Sequence, residues 1–405
     1  MQLKHGIHLG YCTNIHRGES WEETFAGLDQ YTRRVRARVC PAEEPYGIGL
    51  RLSADAAAEL AADSSKVDAF RRWLDETHSY VFTINGFPYG KFHNTRVKEQ
   101  VYVPDWGTQE RLDYTCLLFD LLCELAPEGM AGSVSTLPGS FKEFIEDDAA
   151  QGQAIVEKLR ACSDHLDRLR EKTGRDLHLG LEPEPLGWFE TTPETVAFYD
   201  RLLDGVGEAE RERLLANLGI NYDTCHLAIE YEEPAEAIAR LRQSGIRVSK
   251  IHLSSALKVS PSEATRERLR AFEDEVYLHQ VVVRAGDQVT HRFRDLPDAL
   301  DWAEADGDGG PGEEWRVHFH VPIHAQPETA FFSDTRDHVS GVLDLLGADP
   351  GWCEHFEMET YTWEVLPEEL RSADVVDQLV KEYDWCLGEF ARVGLHGGGD
   401  GSSVA

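Results

Sequence analysis

The chain has 405 residues, 40 Lys+Arg against 73 Asp+Glu, and a formal net charge of −33. Hydrophobic residues make up 41%, and seventeen Phe and nine Trp are enough for a sizeable core, which excludes global disorder. The acidity argues against a general nucleic-acid binder, which needs Lys and Arg to release condensed counterions, and against adhesion to anionic lipid.

The first ten residues carry Lys4, His5 and His8 and no apolar run, so no signal peptide is expected. No stretch approaches the roughly 18 apolar residues of a membrane span. The eight Cys are scattered and form no CxxC pair, which reads as reduced thiols in a cytoplasmic protein.

Short β-rich runs alternate with longer helical ones. The strands are expected at 9–13, 47–53, 80–85, 132–136, 177–182, 219–223, 248–253 and 355–361. Several are continuously apolar, as Val81-Phe82-Thr83-Ile84 is, which suits strands covered on both faces. Helices are expected at 21–39, 54–60, 67–76, 108–125, 148–173 and 192–203. In the first, Phe25, Leu28, Tyr31 and Val35 recur at three- and four-residue steps. Ser20 and Ser53 read as N-caps, and Thr192-Pro193-Glu194 as a cap followed by Pro at the first helical position. Eight strand–helix units imply a parallel (β/α)8 TIM barrel spanning residues 1–395 as a single domain, with 396–405 a Gly-rich flexible tail.

One region breaks the rhythm. Residues 256–350 are too many for one barrel helix and read as an insertion after the seventh strand. It contains a charged helical run (261–277), a hairpin of Val281-Val282-Val283 and residues 289–293 around Ala285-Gly286-Asp287-Gln288, a Gly-rich stretch (306–312) and another strand (316–323). The rival assignment makes 316–323 a barrel strand and demotes another.

Active sites of such barrels lie at the C-terminal strand ends. Here the fifth strand ends in Glu182, the sixth in Asp223, the seventh in His252 and the last in Glu359. Any one of them alone is more often a salt-bridge partner, cap or core residue. Together, three carboxylates and an imidazole would repel without a cation, and a divalent ion (Mn, Mg, Co or Zn) resolves this. Glu184 could replace Glu182. Glu357 and Glu359 share strand parity, and Glu359 is chosen as nearer the C-terminal end.

Other polar residues collect at the same rim. Arg51 ends the second strand and Asn85 the third, and both are candidate substrate contacts. His318, His320 and His324 form a cluster in which His318 and His320 share a strand face. They could extend the metal site, bind a second zinc or contact substrate, or be incidental on a polar edge strand. The loop at 85–93, rich in Gly and aromatics, could stack on a substrate or simply pack. No GxxxxGK[ST], GxGxxG or GxSxG motif occurs, so phosphate-loop, dinucleotide and Ser-hydrolase readings lack support.

The set Glu182, Asp223-x-x-His226, His252 and Glu359 resembles the xylose isomerase-like TIM barrels, which include sugar isomerases, ketose 3-epimerases and endonuclease IV-type enzymes. More narrowly, five segments resemble the EboE "metabolite traffic" proteins of that superfamily. They are residues 10–16 (GYCTNIH), 47–53 (GIGLRLS), 85–90 (NGFPYG), 96–102 (RVKEQVY) and 359–363 (ETYTW). The resemblance implies that Glu182 and Glu359 are acid/base carboxylates as well as ligands, that Asp223 and His252 complete the metal site, and that His226 binds substrate oxygens. It also implies pathway partners of prenyltransferase-like and cyclase-like type. The expected activity is metal-dependent isomerisation or epimerisation of a sugar, sugar phosphate or cyclitol. The rivals are a zinc phosphoesterase of endonuclease IV type acting on a small phosphate ester, and a non-catalytic metabolite-binding barrel.

Overall fold

The computed structural model describes residues 1–91, 98–273, 276–305, 312–325, 332–364 and 374–396. Among the described residues, thirteen strands follow in chain order. The first seven are β1 (His8–Tyr11), β2 (Tyr46–Arg51), β3 (Ser79–Asn85), β4 (Gly132–Thr136), β5 (Leu177–Leu181), β6 (Leu218–Asp223) and β7 (Val248–Leu253). Then come β8 (Ala256–Val259), β9 (Val281–Ala285), β10 (Gln288–Phe293), β11 (Glu314–His320), β12 (Phe332–Asp334) and β13 (His355–Met358).

Strands β1–β7 and β13 form one parallel sheet in the order β1-β13-β7-β6-β5-β4-β3-β2. A parallel bridge from Cys12 to Gly49 joins its two edges, so the sheet closes into a TIM barrel. The runs expected to be covered on both faces are buried nearly end to end. Register then fixes neighbours at the mouth: His252 on β7 lies beside Asp223 on β6 and beside Glu357 on β13. Gly49 on β2 leaves room for the Glu357 carboxylate, because a Cβ there would sit 1.7 Å from Glu357 Oε1.

The helices cover the barrel as the periodicity predicts, with local differences. The run 21–39 is helical throughout but holds one wider turn, Leu28–Thr32, between Trp21–Gly27 and Arg33–Val39. Ser20 and Ser53 cap their helices, Ser20 in a reciprocal box with Glu23. The cap of Thr192–Leu202 is Thr191 and not Thr192; its hydroxyl accepts from Glu194 N–H, which moves Pro193 to the second helical position.

The inserted residues build a second, antiparallel sheet in the order β10-β9-β11-β8-β12. The strand expected at 316–323 is β11, and it belongs to this sheet, not to the barrel. The hairpin is β9–β10. The charged helical run is helical only over Glu263–Leu269 and a short Arg270–Phe272 turn, and residues 274–275 lie outside the described residues. Alternation along β11 sorts its side chains. Trp315, Val317 and Phe319 enter a core with Leu257, Val281 and Leu300, while His318 and His320 take the opposite face, over the barrel mouth. Also on the barrel side, Val282 and Ala256 pack on Cys225 and Ile229 of the helix Thr224–Ile229.

The insertion expected over 256–350 ends earlier. Helix Arg336–Ala348 belongs to the barrel layer: Val339, Val342, Leu343 and Leu346 join the barrel core, and Gly341 abuts Pro234 of the neighbouring barrel helix. Most of the Gly-rich stretch (306–311) and the tail beyond residue 396 lie outside the described residues. Among the described residues, no helix is long and apolar enough to cross a membrane.

On the C-terminal helix Val375–Arg392, Glu382 is fully buried, and burial pushes its carboxyl up to about 8. The folded chain therefore holds this proton over a range in which the unfolded chain has released it. Stability should fall as pH rises between roughly 4.5 and 8, by up to about 1.4 kcal/mol per pH unit. Denaturant titrations of the wild type and Glu382→Gln at several pH values check this; the variant should lose that part of the slope.

Candidate metal centre

Glu182 follows β5, and its N–H donates to the Thr136 carbonyl at 2.9 Å, so the strand geometry continues to the rim. Asp223 ends β6 and caps the helix Thr224–Ile229. Its Oδ1 accepts from Cys225 N (2.7 Å), His226 N (3.1 Å) and Ser254 Oγ (2.6 Å). That leaves Asp223 Oδ2 buried with no hydrogen-bond partner among the described residues. It faces His252 Nδ1 at 3.6 Å.

His252 Nδ1 is the focus. Glu359 Oε2 lies 3.0 Å away and Glu182 Oε1 3.1 Å away. The other oxygen of Glu359 accepts from Asn14 Nδ2 (2.8 Å) and Asn85 Nδ2 (3.0 Å), which turns Oε2 toward the centre. One donor atom each from Glu182, Asp223, His252 and Glu359 fits within 4.8 Å of the others, and all four residues are buried.

The charges explain what this arrangement can hold. Burial disfavours an imidazolium, but Glu359 and Glu182 outweigh it and hold the His252 pKa well above the ordinary value. Burial likewise pushes Asp223 and Glu359 up, yet His226 and His252 draw Asp223 down, and His252 draws Glu359 down. A proton on His252 therefore serves as the counter-cation for the carboxylates. Three carboxylates, one imidazole and an orphaned buried oxygen also suit a divalent cation, which would replace that proton.

Beneath this layer, Glu357 forms a fully buried ion pair with Lys250, and Lys250 Nζ also donates to Ser135 Oγ at 3.1 Å. Glu357 Oε2 lies 3.3 Å from His252 Nε2. Burial raises the Glu357 pKa, but Lys250 and His252 outweigh it and the carboxyl is held below the usual range. Glu357 and Glu359 do share a face, and they occupy two levels: Glu359 sits with the other three donors, and Glu357 orients His252 from below.

A second group lies alongside. His226, His318 and His320 are buried, with ring centroids of His226 at 4.7 Å from His318 and 5.5 Å from His320. Glu184 joins this group and not the first. Above both, a cleft is lined by Asn14, Asn85, Glu182, Glu184, His226, His318 and Glu359, with walls of Phe87, Tyr102, Tyr277 and Tyr361.

Two sequence candidates stand elsewhere. Arg51 binds the carbonyls of Gly18 (2.7 Å) and Gly90 (2.6 Å) and pairs with Glu19, so it fastens two loops. His324 is absent from the cavity lining and lies near Lys381 and Arg336. The loop at 85–93 contributes Asn85, Phe87 and Pro88 to the cavity, while residues 92–93 lie outside the described residues. Sequence reading did not single out Lys250, Asn14 or Gln280. Lys250 had a signal, since it precedes His252 by two residues and so shares its strand face. Gln280 had none, because its place depends on how the inserted sheet folds back.

No protein-family model matches the sequence, and no curated protein matches it. Solved structures do resemble the fold. A xylose isomerase-like TIM barrel protein from Mycobacterium smegmatis in complex with magnesium matches at TM-score 0.50 and 14% identity, over 96% of this chain and 97% of that one. The IolI protein with a bound zinc atom matches at TM-score 0.50 and 13% identity, over 96% and 99%. These likenesses show the fold alone, an eight-stranded parallel TIM barrel.

Removing a donor should abolish tight metal binding without unfolding the barrel. Glu182→Ala and His252→Ala are each expected to weaken it by more than about 100-fold, and Glu357→Gln, which only orients His252, by about 10- to 100-fold. Metal titration of the chelator-stripped protein, with circular dichroism as the folding control, checks both values. Full occupancy in the two alanine variants would refute the donor set.

Proposed function

We propose that this chain is a metal-dependent isomerase or epimerase acting on a sugar, sugar phosphate or cyclitol. The observation that carries the reading is that Glu182 and Glu359 both lie about 3 Å from one imidazole nitrogen and both line the cleft at the barrel mouth. A bound divalent cation would polarise a carbonyl and its adjacent hydroxyl, lowering the pKa of the C–H between them. Glu182, Asp223, His252 and Glu359 would hold it.

The protein's own groups then divide the work. One of Glu182 and Glu359 removes the carbon-bound proton and the other returns one. Asn14 and Asn85 keep Glu359 Oε1 occupied, so that Oε2 alone faces the reacting position. His226 donates its Nδ1–H to the Pro183 carbonyl at 3.1 Å, which leaves Nε2 for a substrate oxygen. The aromatic walls exclude water and match the apolar face of a ring.

The EboE-like segments support a finer reading. In it, the chain processes a metabolite in the cytoplasm, next to prenyltransferase-like and cyclase-like pathway proteins.

Solvent exchange tests the reaction class. Protein loaded with Mn or Mg should incorporate deuterium from D2O at a carbon next to a carbonyl in at least one ketose, ketose phosphate or oxidised cyclitol. Glu182→Gln and Glu359→Gln should each slow that exchange by about 10²- to 10⁴-fold. A metal-loaded protein silent toward the whole panel, yet binding one of its members, would replace this reading with a non-catalytic binding barrel.

A further inference from the structure

We propose that Cys116 and Cys162 form a two-thiol redox site on the outside of the barrel, at which a hydroperoxide joins the helices Gln109–Leu125 and Asp148–Thr173 through a disulfide. The inference depends neither on the metal centre nor on the isomerase reading.

Cross-helix contacts set the register of these two helices. In one, Lys158 Nζ donates to Gln109 Oε1 at 2.7 Å. In the other, His165 Nε2 meets Asp120 Oδ1 at 2.8 Å. Cys116 lies four residues before Asp120 on the first helix, and Cys162 three residues before His165 on the second. Residues so spaced share a helix face, so both cysteines fall between the two contacts and look at each other. The thiols meet there, with Cys162 S–H donating to the Cys116 sulfur.

The two sulfurs are not equivalent. Cys162 is fully buried and Cys116 half-buried, so Cys116 is the one open to attack from solvent. The Cys162 S–H draws the Cys116 thiol below its ordinary value against the effect of burial, and His165 adds to the lowering while Asp120 and Asp113 oppose it. The hydrogen bond to Asp120 in turn holds His165 above the ordinary imidazole value. The same thiol–thiol contact, together with burial, pushes Cys162 well up. Cys116 is therefore the nucleophile, and Cys162 the partner that keeps its proton. Cys123 supplies the contrast within the same helix. It is half-buried too, but burial pushes its thiol up, and no second cysteine faces it among the described residues.

The step balances. The Cys116 thiolate attacks one oxygen of the hydroperoxide and the O–O bond breaks, giving a sulfenic acid. The departing oxygen takes the proton that Cys116 released on ionising. The Cys162 sulfur then attacks the Cys116 sulfur; the S–S bond forms, the S–O bond breaks, and hydroxide leaves with the Cys162 proton as water. The two thiols lose two electrons and the hydroperoxide gains them. The first helix also shapes the cleft, since its Arg111 donates to the carbonyls of Gly86 (2.8 Å) and Phe87 (3.1 Å), and Phe87 lines the cleft wall.

The test treats the full-length, reduced and desalted protein with hydrogen peroxide in the presence of a chelator, stops the reaction with catalase and counts thiols after denaturation. The wild type is expected to lose two of its eight thiols and to recover both with dithiothreitol. Peptide mapping without reduction, on the single-chain band of a non-reducing gel, should return the Cys116 and Cys162 peptides joined and two hydrogens lighter. Cys116→Ser should lose no thiol over the same exposure, and Cys123→Ser should still lose two. Cys162→Ser should lose one, trapped by dimedone as a sulfenic acid at Cys116; mapping of the wild type covers the case in which this buried variant misfolds. A wild type that keeps all its thiols, a disulfide that joins any other pair or two chains, or loss of two thiols from Cys116→Ser would overturn the proposal. So would oxidation of Cys116 in the wild type that stops at the sulfenic or sulfinic acid.

Discussion

The mouth of this barrel is governed by a charge problem. Three carboxylates, Glu182, Asp223 and Glu359, are gathered around Nδ1 of one buried imidazole, His252. Water cannot screen them there, so the arrangement is stable only with positive charge at its centre. The imidazole carries that charge as a proton, and a divalent cation can take its place. Metal affinity and proton affinity are therefore competing properties of one nitrogen.

Much of the surrounding structure serves this point. Lys250 pairs with Glu357 Oε2, the same oxygen that faces His252 Nε2, so Glu357 reaches the imidazole without adding a further uncompensated charge. Gly49 clears the space that Glu357 occupies. The helix after β6 takes one oxygen of Asp223 as its cap and leaves the other for the site. The inserted sheet then covers the same side. It brings Gln280, His318 and His320 over the mouth while burying its own apolar face, Leu257 and Trp315 included, against Leu296 and Leu300 of the helix Leu296–Ala305.

The parts of this architecture legible in the sequence were those set by local pattern. Short β-rich runs, several of them continuously apolar as strands covered on both faces can be, located all eight barrel strands. Position at the C-terminal strand ends then selected Glu182, Asp223, His252 and Glu359, which the fold brings together. Non-local pairing was not legible. The short strands β8 and β12 are held by β11 and by each other across many residues, and nothing in Ala256–Val259 or Phe332–Asp334 announces that. The same blindness extended the insertion over Arg336–Ala348, whose apolar face fits a barrel helix as well as an inserted one. His324 was grouped with His318 and His320 by proximity in sequence, but the strand ends at His320 and the chain turns away. Arg51 looked like a rim residue, and its guanidinium instead fills with backbone carbonyls.

The central claim is that one buried nitrogen exchanges a proton for a metal ion. Calorimetric titration of chelator-stripped protein with Mn, near pH 7 and in buffers of different ionisation enthalpy, measures that exchange directly. Release of about one proton per cation bound at the four-donor centre, lost in His252→Ala, is the predicted result. Tight binding with no proton release, or release unchanged by that substitution, would contradict it.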